Sequence, residues 1–138
     1  MNKNKKVKIT ELGLLPFSQA WELQEEYFSN TIAIKKQNRN SHVPIITQNH
    51  MLILEHPPVF TLGKSGKMEH LLINEEILKA KGIDFIKTNR GGDITFHGPG
   101  QLVGYPILDL DNFFTDIHKY LRCLEEMIIK TLLDFGLN

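Results

Sequence analysis

Read for the alternation of apolar and polar positions, the chain divides into short strands and two long helices. Residues 7–11, VKITE, alternate as a first short strand. After Pro16, Ser18 is placed as an N-cap, and residues 19–36 carry Ala20, Leu23, Tyr27 and Ile34 on one stripe, with Trp21, Phe28 and Ile32 beside it. That spacing predicts an amphipathic helix with an aromatic-rich face, its aromatic residues read as core. The polar, punctuated stretch 37–50 reads as a loop. Residues 51–63, MLILEHPPVFTLG, open on four apolar residues and predict a buried strand that breaks at Pro57-Pro58 and resumes over 59–62. Asn74 is placed to cap a short helix that Gly82 ends. Strands follow at 83–88, 94–97 and 102–108. A last helix starts near Thr115, with Ile117, Leu121, Leu124, Ile128 and Phe135 on one stripe and Gly136 as its stop. Strands mixed with two long amphipathic helices predict an α/β (α+β) fold, a mixed sheet covered by helices in a single domain over 1–138.

Composition narrows the function without naming it. Hydrophobic residues make up 41% and charged residues 23% of the 138, enough for one domain with its own core. Lys plus Arg and Asp plus Glu number 16 each, so there is no general field to attract nucleic acid or an anionic membrane. The single cysteine, Cys123, excludes an internal disulfide and suits a reducing compartment. The basic start MNKNKKVKIT has no apolar run behind it, which argues against a secretory signal, and no stretch approaches ~18 apolar residues. The cytoplasm is the expected location, with no membrane partner.

The stretch RGGDITFHGPGQ, residues 90–101, holds four glycines and carries the chemistry. It is not a phosphate loop. Gly63-Lys64-Ser65 has the right ending, but position 58 is Pro58 where a glycine is needed, and proline removes a donor. Gly98 and Gly100 are followed by Gly104, one position late for a dinucleotide fingerprint, and no helix pattern follows. The six histidines lack metal-site spacing, so no metal is expected. Two readings remain for the glycine pairs. Gly91-Gly92 and Gly98-Gly100 are a hairpin and a tight turn, or they let a ligand approach the backbone. On the second reading Thr95 and His97 share the ligand face of a strand, while Ile94 and Phe96 face the core. Arg90 then offers its planar fork to an anionic or carbonyl group. His56 either orients a loop or lines the pocket.

Residues 90–107, RGGDITFHGPGQLVGYPI, resemble the signature of the lipoyl(octanoyl) transferase family of lipoate biosynthesis. LEHPPVFTLG (54–63) and KSGKMEHLL (64–72) are similar to that family's upstream segments. The resemblance implies the catalytic-domain fold of biotin and lipoate ligases, incomplete at the C-terminus. It implies transfer of an octanoyl group from acyl carrier protein, through a cysteine thioester, to a lysine of lipoyl domains in 2-oxoacid dehydrogenase complexes and glycine cleavage H protein. No ATP or other cofactor is implied, because a thioester is already activated, and the complete enzyme is expected to be a monomer. Arg90, Gly91, Gly92, Asp93, Ile94, Thr95, Phe96 and His97 match the family's substrate-binding segment. The family's catalytic cysteine and lysine are expected beyond Asn138. Cys123, Lys119 and Lys130 read instead as ordinary helix residues. Two alternatives stay open: an ATP-dependent lipoate-protein ligase of the same fold, and a non-catalytic module that binds an acyl chain or carrier protein.

Overall fold

The computed structural model describes residues 3–137. Six strands form two sheets of three, not one. In the first sheet β2 (Asn49–Glu55) is central, parallel to β1 (Val7–Leu14) and antiparallel to β6 (Val103–Ile107). In the second, β3 (Val59–Leu62) is central, parallel to β4 (Asp84–Lys87) and antiparallel to β5 (Ile94–His97). The switch between sheets falls at Pro57 and Pro58, which cannot donate to a continuing ladder. So the break read from the sequence is a change of sheet.

Helix α1 (Phe17–Asn38) lies on the first sheet. Its Ala20 is fully buried with Leu52 and Leu54 of β2, and Leu12, Leu15, Leu23, Tyr27, Tyr105 and Ile107 pack around them. The helix starts ahead of Ser18. Pro16 takes the N-cap position with extended backbone and no side-chain cap, and its carbonyl accepts from the Ala20 amide. Phe28 and Ile32 point outward and are exposed, so the aromatic face is only partly core. A register shift between Glu11 and Gly13 lets both Leu12 and Leu15 reach the core.

Asn74 caps α2 (Glu75–Ala80) as expected, its side chain accepting from the Ile77 amide. Helix α2 packs on β4 and buries Leu78. Helix α3 (Ile117–Asp134) is capped by the Asp116 side chain, which accepts from the Lys119 amide. The stripe Ile117, Leu121 and Ile128 is exposed, and none of the helix's residues is buried. Its amphipathic pattern is real, but among the described residues nothing covers its apolar face. No helix among the described residues is long and apolar enough to cross a membrane.

Candidate functional site

The two glycine loops are stitched together at the end of β3. Gly63, Lys64 and Ser65 donate their amides to the carbonyls of Asp93 (3.0 Å), Arg90 (2.9 Å) and Gly92 (3.2 Å). The backbones touch: a Cβ on Gly63 would lie 2.3 Å from the Gly92 carbonyl oxygen. Gly92 has φ +84° and needs glycine for its conformation, whereas Gly91 has an ordinary φ and open space around it. The Arg90-Gly91-Gly92 segment is not a hairpin, because β4 and β5 flank β3 and do not pair with each other.

Arg90 is a brace within the protein. Its Nη2 donates to the Thr61 hydroxyl, the Thr61 carbonyl and the Asp93 carbonyl, each at 2.9 Å. Its Nη1 donates to the Gly91 carbonyl, also at 2.9 Å, and its Nε to the Thr61 hydroxyl at 3.3 Å. The planar fork expected to face a substrate is therefore largely filled by the chain's own oxygens. Thr61 is fully buried beneath it. Asp93 adds a side-chain link: one carboxylate oxygen accepts from Ile94 N–H at 2.8 Å and the other from His70 Nδ1. Loss of solvent alone would raise the Asp93 pKa, but the His70 and backbone bonds together hold it below the usual carboxylate range.

Beside this junction stands an aromatic and histidine cluster. His56 is fully buried. Its Nδ1–H donates to the Leu15 carbonyl at 2.7 Å, which fixes the tautomer, so Nε2 accepts from the Tyr105 hydroxyl at 2.9 Å. Burial pushes the His56 pKa down, outweighing the Leu15 bond, and His97 adds to the lowering, so the ring stays neutral near pH 7. Burial pushes the Tyr105 phenol up to about 12, against the opposing pull of Arg90. His97 packs edge-on to His56, 5.6 Å between ring centroids, and stacks over Phe17 at 6.3 Å. Its Nδ1–H donates to Gln101 Oε1. The turn Gly98-Pro99-Gly100-Gln101 closes with the Gln101 amide on the Gly98 carbonyl and Gly100 at φ +86°, a type II turn. The Gly100 amide donates to the Glu55 carboxylate at 2.6 Å, which ties the turn to the end of β2.

Thr95 and His97 do share a face of β5, and His97 meets α1 there through Phe17. The expectation that Phe96 faces the core fails. Ile94 is half-buried, but Phe96 is 45% exposed and leans on Phe60 at 5.0 Å. Helix α2 packs on β4, at the opposite edge of that sheet. His56 is the tie between β1, β2 and β6, the orienting role of its two readings. Sequence reasoning missed Thr61, Gly63, His70 and Tyr105. Each lies inside a run that carried the family resemblance, Thr61 and Gly63 in 54–63, His70 in 64–72 and Tyr105 in 90–107, but nothing local singled out the residue. Tyr105→Phe is expected to cost about 1–2 kcal/mol, because it strips the buried His56 Nε2 of its partner. A urea denaturation curve checks this, and an unchanged midpoint counts against the pairing.

The remaining candidates lie apart. Cys123 is exposed on α3. Its neighbour Arg122 pairs with Glu125 at 2.7 Å, Lys130 with Glu126 at 3.3 Å, and the Lys119 ammonium sits 4.7 Å from the Phe114 ring centre. Each of the three cations is engaged by its own partner, although all of them share one shallow recess with Cys123. No group of three His, Cys, Asp or Glu among the described residues is placed to hold a metal ion.

Comparison with known proteins sets this geometry in a family. The sequence pattern of the lipoyl protein ligase A/B catalytic domain matches residues 16–138. An octanoyltransferase of Flavobacterium johnsoniae is 58% identical over 98% of this chain, and one of Cytophaga hutchinsonii 54% identical over 99%. The chain spans 58% and 57% of the length of these two relatives. In fold it is similar to a bi-partite lipoate protein ligase of Thermoplasma acidophilum (TM-score 0.59, 16% identity, covering 98% of this chain and 48% of that one). A lipoate-protein ligase A bound with ATP is also similar (TM-score 0.56, 15% identity, covering 96% and 47%).

Proposed function

Because this chain belongs to the lipoyl protein ligase A/B catalytic-domain family, we propose that it serves an octanoyltransferase. The enzyme would move an octanoyl group from acyl carrier protein to a lysine of a lipoyl domain, in the cytoplasm and as a monomer. The observation that carries the reading is the 58% identity to an octanoyltransferase over nearly the whole chain. In this reading an enzyme cysteine thiolate attacks the carrier-bound thioester and releases the carrier thiol. The lysine amine of the lipoyl domain then attacks the enzyme thioester, forming the amide and returning the thiol. The first step exchanges one thioester for another at little cost and the second runs downhill from thioester to amide, so ATP is not required. In this reading the cysteine and its partner lysine lie beyond Asn138.

In the same reading residues Arg90 to His97 form one wall of the substrate site. Gly92 keeps that wall close to the backbone of loop 63–65, Arg90 and Asp93 stiffen it, and His97 presents its ring beside His56 and Phe17. The test mixes octanoyl-acyl carrier protein with a lipoyl domain and the enzyme at the relatives' length, and follows the domain's mass. Octanoylation without ATP is expected, lowered about tenfold or more by Gly92→Val and by His97→Ala. Modification only with free acid and ATP would assign a ligase instead. Residues 1–138 by themselves are expected to transfer nothing. A stable thioester on Cys123, abolished by Cys123→Ser, would overturn that.

A further inference from the structure

The charge balance of this chain conceals a strong segregation. Residues 1–10 carry four lysines and no Asp or Glu, and residues 27–54 carry Lys35, Lys36 and Arg39 with no Asp or Glu. The fold brings Lys3 of the first segment and Lys35 and Arg39 of the second to the same end of the first sheet, where they border a recess of about 580 Å³. Lys3, Lys35, Arg39, Ile45 and Ile46 line it, together with the carboxylates of Asp109 and Asp111. Lys35 is committed to Asp109 at 2.7 Å and Asp111 at 2.6 Å. Lys3 and Arg39 have no carboxylate partner among the described residues.

Hydrogen bonds hold the recess on two sides. Its floor is a closed hydrogen-bond chain: the Asn112 side-chain amide donates to the Thr47 hydroxyl (2.9 Å), which donates to Asp109 (2.7 Å). Its wall is the 41–47 loop, pinned by Asn38, whose side chain accepts from the Ile45 amide and donates to the Ile45 carbonyl, both at 2.8 Å. The pinned loop holds Val43 at 80%, Ile45 at 46% and Ile46 at 52% exposure. Ile45 and Ile46 share the recess with Lys3 and Arg39, and a loop already pinned has part of its ordering cost met, which favours association.

We propose that this recess docks an acidic protein, with one of its apolar side chains entering against Ile45 and Ile46 and its carboxylates meeting Lys3 and Arg39. A recess takes a protruding side chain, which a flat bilayer or a ribbon of phosphates does not offer. The partner rests on the acyl-transfer reading: it is the carrier that brings the octanoyl group. β2 runs from Asn49 beside the recess to Glu55 beside His56, about 20 Å at strand spacing. A carrier docked here must therefore present its acyl group on an arm of about that reach.

The test titrates the protein with acyl carrier protein, octanoylated and unacylated, at low and at physiological salt. Both forms are expected to bind, more weakly as salt rises. Lys3→Glu with Arg39→Glu should weaken binding about tenfold or more, and Ile45→Ser about fivefold, whereas Lys130→Glu on α3 should change nothing. The proposal falls if the double reversal binds like the parent, if neither carrier form binds, or if vesicles rich in phosphatidylglycerol compete equally well. Docking of the unacylated carrier keeps the inference separate from the acyl-transfer reading. If that docking persists while no octanoyl group is ever transferred, the recess stands and the transferase reading fails.

Discussion

Gly63→Ala is expected to lose about 3 kcal/mol or more of stability, while Gly91→Ala stays within about 0.5 kcal/mol of the parent. The added Cβ at Gly63 would sit 2.3 Å from the Gly92 carbonyl oxygen and 2.9 Å from that of Gly91. Both obstacles are backbone, so no rotamer change relieves them. Loop 63–65 must withdraw, and with it go three amide-to-carbonyl bonds to Asp93, Arg90 and Gly92. At Gly91 a Cβ meets nothing within 4 Å and the φ is ordinary. Gly92→Ala falls between the two, at about 1–2 kcal/mol, since its φ of +84° is strained for any residue with a Cβ. Chemical denaturation of the three variants gives the order directly. If Gly63→Ala and Gly91→Ala unfold alike, the loops are not packed backbone to backbone.

This order is not legible in the sequence, and the reason is physical. Gly91 and Gly92 are adjacent and read alike, but only the fold says which has a positive φ. Gly63 looked like the tail of a failed phosphate loop, and its partner lies some thirty residues away. What did read correctly was local. The alternation of 94–97 gave β5 to the residue, the Pro57-Pro58 pair marked a real interruption, and Asn74 was the cap of α2. Long-range choices were hidden. Two sheets and one mixed sheet share the same strand pattern. The exposure of Phe96 goes with the place of β5 at an edge of its sheet, where its ring leans on Phe60. Arg90 has the chemistry of a substrate clamp, and only the position of Thr61 across the sheet shows the fork filled from within.

Asp109→Ala is expected to cost about 2–3 kcal/mol, because charge-assisted hydrogen bonds are lost from a buried carboxylate. Asp109 is only 6% exposed, and it accepts from Lys35 Nζ and the Thr47 hydroxyl, both at 2.7 Å. Removing it leaves the buried Thr47 hydroxyl without its acceptor and frees Lys35 to rely on Asp111, which is 61% exposed and holds it only weakly. Asp111→Ala should accordingly cost well under 1 kcal/mol. The loss at Asp109 must also depend on pH. Burial tends to raise its pKa, but the bonds from Lys35, Thr47 and the Asp111 amide hold it below the ordinary aspartate value. A carboxylate depressed in the folded state contributes its full stability above its unfolded pKa, about 4, and loses it as pH falls through the lower folded value. The gap between parent and Asp109→Ala should thus be flat from about pH 5 upward and close below about pH 4. Lys35 is raised by the same carboxylates, so its share persists through neutral pH and fades only in strong alkali, above its ordinary value of 10.5. Denaturation midpoints measured across pH 3–8 decide the matter (an approximate range set by the carboxylate pKa, about 4). A gap that widens toward acid would mean that Asp109 is held protonated by its burial, and that its bond to Lys35 does not stabilise this end of the fold.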